Sequence, residues 1–113
     1  MVSDVDNEWP IAQDEIFGPV AVTIGFAEDD EAVELANRSR YGLDGAIVTR
    51  DAGAAFAMAC RLRTGGVAIN GGSGWTNPGV PFGGYKRSGL GRENGDAGLD
   101  EYTELKTIKF HAA

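Results

Sequence analysis

Ala46-Ile47-Val48-Thr49 and Val67-Ala68-Ile69 are two short apolar runs, and the residues between them, Arg50 to Gly66, read as one helix and a break. Asp51 is placed to cap that helix. The spacing carries it to about Arg63, with Phe56, Ala59, Cys60 and Arg63 on one face. Thr64-Gly65-Gly66 then interrupts it before the second run begins. Two apolar strands joined by a helix form a βαβ unit, which implies a parallel sheet and a right-handed crossover.

The same grammar extends upstream. Val20-Ala21-Val22-Thr23-Ile24-Gly25-Phe26 is short, apolar and β-branched, as a buried strand should be. Asp29 or Asp30 offers an N-cap for a helix with Ala32, Leu35 and Ala36 on one face, and Gly42, after Arg38 and Arg40, supplies its stop. The expected fold class is therefore α/β, a βαβαβ parallel sheet. Residues before about Asp14 are polar, include Pro10, and read as an extended lead-in. Downstream, Asn70 to Glu93 is dense in glycine, with Pro78 and Pro81, and too long for a passive connection. A short helix is expected from Asp96 to Tyr102, then a strand in which Thr107-Ile108-Lys109-Phe110 alternates polar and apolar.

Composition narrows the function classes. The 113 residues suit one domain, and 42% hydrophobic content is ordinary for a globular chain. A formal charge of -7 disfavours nucleic acid and anionic membrane surfaces as partners. The chain holds no apolar run long enough to span a bilayer and no signal-like opening, so the expectation is a cytoplasmic protein. With Cys60 the single cysteine, an internal disulfide is impossible.

Several patterns invite chemistry without supporting it. Gly89-Leu90-Gly91 begins a dinucleotide fingerprint, but Asn94 stands at the third glycine position and no strand precedes it. Gly84-Tyr85-Lys86 lacks the spacing of a phosphate-cradling loop. Cys60 lies late in a helix on the Phe56 face, where a small buried hydrophobe is expected rather than a thiolate. His111 sits near the terminus with no adjacent acid, and no cluster has metal-ligand spacing.

Five stretches, in collinear order, carry a resemblance. They are Glu15-Ile16-Phe17-Gly18-Pro19-Val20, Asn37 to Gly45, Leu62 to Asn70, Pro81 to Glu93 with its Phe82-Gly83-Gly84-Tyr85-Lys86 core, and Gly98 to Thr107. Together they resemble the C-terminal part of an NAD(P)-dependent aldehyde dehydrogenase. The resemblance implies residues 1–103 as the C-terminal part of the catalytic domain and 104–113 as a terminal oligomerisation strand and tail.

In this family a cysteine attacks the aldehyde, hydride passes to NAD or NADP, and a glutamate-assisted water hydrolyses the thioester. The nucleophile, that glutamate and the adenine-binding half would all precede Met1, so the isolated chain is expected to be inactive, with no catalytic residue of its own. Glu15 matches the carboxylate that accepts hydrogen bonds from the nicotinamide ribose hydroxyls, and Phe17 matches the aromatic beside it. Phe82 and Trp75 match positions that wall the aldehyde channel, where apolar rings sort substrates by size and exclude water. The last strand, Leu105 to Phe110, matches a segment that packs on a neighbouring subunit, so self-association is expected. The alternative class is a non-catalytic α/β binding or self-association module. Retention of Glu15, Phe17 and Phe82 argues against it, since such a module needs no ribose-gripping carboxylate.

Overall fold

The structure, a computed structural model, describes residues 1–72 and 77–111. Its best-formed unit is the strand-helix-strand read from residues 46–69: β2 (Asp44–Ile47), α3 (Ala52–Ala59) and β3 (Gly66–Ile69). β2 and β3 are parallel, with Asp44 opposite Gly66 and Ile47 opposite Ile69. Asp51 caps α3 as expected, its carboxylate accepting from the Ala54 N–H at 2.9 Å. The ladder is prolonged by a side chain. The Asn70 amide donates to the Thr49 carbonyl at 2.9 Å and accepts from the Thr49 N–H at 3.0 Å, standing in for a further backbone rung.

Upstream of this unit lie two helices and a short strand. Pro10 opens α1 (Pro10–Gln13), where its fixed φ and missing N–H cost nothing. α2 (Asp29–Asn37) has three acidic residues in its first turn, which suit the positive end of the helix dipole. Its N-cap is Glu28, not Asp29 or Asp30, and Glu31 reaches back to accept from the Ala27 N–H at 2.8 Å. α2 ends at Asn37, so Gly42 is not its stop and lies instead in β1 (Tyr41–Gly42).

β1 pairs antiparallel with β4 (Tyr85–Lys86), Tyr41 facing Lys86, in a sheet separate from β2–β3. The two sheets meet at Gly65. Its N–H donates to the Gly42 carbonyl at 3.0 Å, and a Cβ there would overlap the Gly83 carbonyl. α4 (Gly95–Asp100) follows, slightly shorter than expected.

Four expectations are revised. The βαβαβ sheet is realised among the described residues as one parallel pair, because Val20–Phe26 contributes only a single parallel bridge, Val22 to Val2. Leu105–Phe110 is assigned no strand and is exposed, since no ladder partner for it exists among the described residues. The glycine-dense segment carries regular structure among its described residues. It contains β4, and Phe82 and Glu93 exchange two backbone hydrogen bonds at 2.7 Å each. Finally, the buried face of α3 centres on Ala55, while Phe56 and Cys60 are exposed. This helix reads Ala-Gly-Ala-Ala-Phe-Ala-Met-Ala, apolar on every side, so periodicity alone cannot select its face.

Among the described residues, Val5, Val33, Ile47 and Ala55 are the buried hydrophobic ones. No described helix is long and apolar enough to cross a membrane. Accessible surface is 8938 Å² and the radius of gyration 18.6 Å. A compact globule of this size would have about 5,900 Å² and about 13 Å.

Candidate functional site

A shallow concavity of about 80 Å³ opens where β3 meets the glycine-dense segment. Leu43, Val67, Ala68, Val80 and Phe82 supply its apolar lining, and Asp44 and Asn94 its polar side chains. Backbone geometry makes this shape. Gly65 lets the Gly83 backbone approach closely, and the Phe82–Glu93 bridge holds the segment's other edge. No described lining residue is a cysteine, serine, threonine, histidine or lysine. The surface can therefore receive an apolar group but offers it no thiol, hydroxyl, imidazole or amine among the described residues.

Phe82 is half-buried and lines this concavity, as well as a second one shared with Ser88, Arg92, Glu93 and Glu101. Glu15 and Phe17 line neither. They occupy the exposed loop after α1, which is closed by Gly18 N–H to the Ile16 carbonyl at 2.9 Å and Val20 N–H to the Gly18 carbonyl at 2.8 Å. Phe17 is 96% exposed. Trp75 lies outside the described residues.

The loop's root is well fixed. Buried Gln13 donates to the Asn7 carbonyl at 2.7 Å and accepts from the Arg40 N–H at 3.1 Å. The Asn7 amide in turn donates to the Leu35 carbonyl of α2 at 3.0 Å. Glu15 thus projects from an anchored base into solvent, where its carboxylate can accept from two hydroxyls of an incoming ligand.

Two cations that the sequence does not mark as important order the glycine-dense segment. Arg92 Nη1 donates to the carbonyls of Gly84 at 3.1 Å and Gly91 at 2.6 Å, and its guanidinium lies 5.3 Å from the centre of the Tyr85 ring. Lys86 Nζ donates to the carbonyls of Asn37 at 2.9 Å and Ser39 at 3.1 Å. Burial, and then the neighbouring Arg63 guanidinium, lower the Lys86 pKa from the usual lysine value. The sequence places Lys86 in the core of the fourth resembling stretch but gives no sign of these contacts; α2, ending at Asn37, has no basic residue in its own last turn. No group of three or more described His, Cys, Asp or Glu residues could hold a metal ion.

Residues 1–108 match the model of the aldehyde dehydrogenase family. A relative from Staphylococcus aureus is 46% identical over 105 residues, which are 93% of this chain and 22% of the relative. Among solved structures, the NAD+ complex of a Mycobacterium tuberculosis aldehyde dehydrogenase aligns with a TM-score of 0.83 at 41% identity, covering 97% of this chain and 23% of the other. The NAD+ complex of an aldehyde dehydrogenase from Bacillus cereus also gives 0.83, at 42% identity, with 94% and 21% covered. The chain thus spans about 22% of the length of the curated relatives it matches.

Proposed function

The chain belongs to the aldehyde dehydrogenase family, and from that membership we propose that it forms the C-terminal part of an enzyme oxidising an aldehyde to a carboxylic acid with NAD or NADP. Residues 1–103 complete its catalytic domain, and 104–113 are its terminal strand and tail, in which Leu105 to Phe110 joins a sheet of another polypeptide. The observation that carries this function is the apolar concavity walled by Phe82 within a segment that matches the family throughout. Glu15 accepts hydrogen bonds from the cofactor's ribose hydroxyls, Phe17 restricts the adjoining ring, and Phe82 walls the aldehyde channel. The cofactor supplies the hydride acceptor; this chain orients it and keeps water from the reacting aldehyde.

Alone the chain is catalytically silent, because its concavity offers no thiol among the described residues, and the family's reaction proceeds through one. Incubating it with aldehydes and either cofactor should give no sustained reduced cofactor. The positive test is a chimera in which residues 1–108 replace the matching segment of the Staphylococcus aureus relative. Aldehyde-dependent NAD or NADP reduction is expected. A soluble, folded chimera that binds neither cofactor nor aldehyde would overturn the assignment.

A further inference from the structure

Lys86 holds a positive φ of 54°, a conformation costly for a residue with a Cβ. Its side chain accounts for that conformation. Nζ spans the carbonyls of Asn37 and Ser39, at and just beyond the end of α2, where helix carbonyls lack partners. The residues that follow are tied to the same junction. Arg87 N–H donates to the Arg40 carbonyl at 3.1 Å, and the Ser88 hydroxyl accepts from the Gly42 N–H at 3.0 Å. β4 is thereby fastened to α2 and β1 immediately after Phe82-Gly83-Gly84.

We propose that Lys86 is a positioning residue for Phe82: by holding the carbonyls at and just beyond the end of α2, it fixes the Phe82–Gly84 segment against β1 and so sets one wall of the apolar concavity. The significance for aldehydes rests on the function proposed for Phe82; the mechanical claim does not. The attachment depends on donors more than on charge. Desolvation and Arg63 oppose the ammonium form, and a neutral amine still has two N–H groups for the two carbonyls.

Amide hydrogen exchange on the 113-residue chain tests this directly. In Lys86→Met, the amides of Phe82, Arg87 and Glu93 should exchange roughly tenfold faster or more, as expected when both hydrogen bonds of the attachment are lost. The amides of Thr49 and Asn70, in the β2–β3 ladder, should change by less than about twofold, because local opening leaves distant units closed. Lys86→Arg, which keeps donors and reach, should restore slow exchange. Should Lys86→Met fail to fold, Lys86→Gln, whose amide falls short of the carbonyls, is compared with the parent in the same way. Unchanged exchange at Phe82 and Glu93, or uniform acceleration across the chain, would overturn the proposal. Local acceleration with an unaltered aldehyde KM in the corresponding chimera would retire Phe82 as a substrate wall and leave its positioning by Lys86 intact.

Discussion

Glu15 and Phe17 share one short loop, a carboxylate and a ring both turned to solvent above a base pinned by Gln13. A carboxylate offers acceptors to both hydroxyls of a diol, whereas an amide offers one acceptor and a mismatched donor. In the chimera, Glu15→Gln should raise the KM for the cofactor roughly tenfold or more, as expected for a lost charged hydrogen bond, with a smaller change in kcat. Cofactor titration at saturating aldehyde measures it. Lys86 gives a second expectation at this scale. Its folded pKa lies below its ordinary value near 10.5, so between the two the unfolded chain binds more protons. Stability attributable to Lys86 therefore rises with pH across that window. Denaturation midpoints of the parent should gain on those of Lys86→Met as pH is raised towards 10.5.

Secondary-structure elements here are held by a few side chains acting on backbone. Removing the Asp51 cap in Asp51→Ala should cost about 1 kcal/mol, read as a lower denaturant midpoint. Asn70→Ala removes both bonds that prolong β2–β3 and should cost about 1–3 kcal/mol by the same measurement. What was legible beforehand follows the same division. The β2–α3–β3 unit could be read because its signals are local: an aspartate before an alanine-rich run, a glycine pair after it, and apolar residues on either side. The β1–β4 pair could not, since two-residue strands carry no periodicity and their partner lies in a distant, glycine-rich stretch. Phe56 and Cys60 were assigned to the wrong face because α3 has no polar side to orient it. Phe82 was legible only through the family resemblance, and the structure adds the concavity it lines. The anchoring of that segment by Lys86 and Arg92 depends on contacts no sequence window contains.

The whole chain exposes roughly half as much surface again as a compact protein of its mass would. Phe17, Leu90 and Leu105, the last wholly exposed, belong to this excess, and the tail from Leu105 to Phe110 leaves its backbone without a ladder. Such surface favours association. Sedimentation should show dimers or larger species whose fraction grows with concentration; a monomer at all accessible concentrations would contradict this. The pairing pattern also sets an order of events. β2 meets β3 across one intervening helix, whereas β1 must find β4 across a loop about twice as long, a difference of about 0.6 kcal/mol in closure entropy. The parallel unit should thus be the first to condense as the chain leaves the ribosome, and the glycine-rich arm should dock onto a nucleus that already exists.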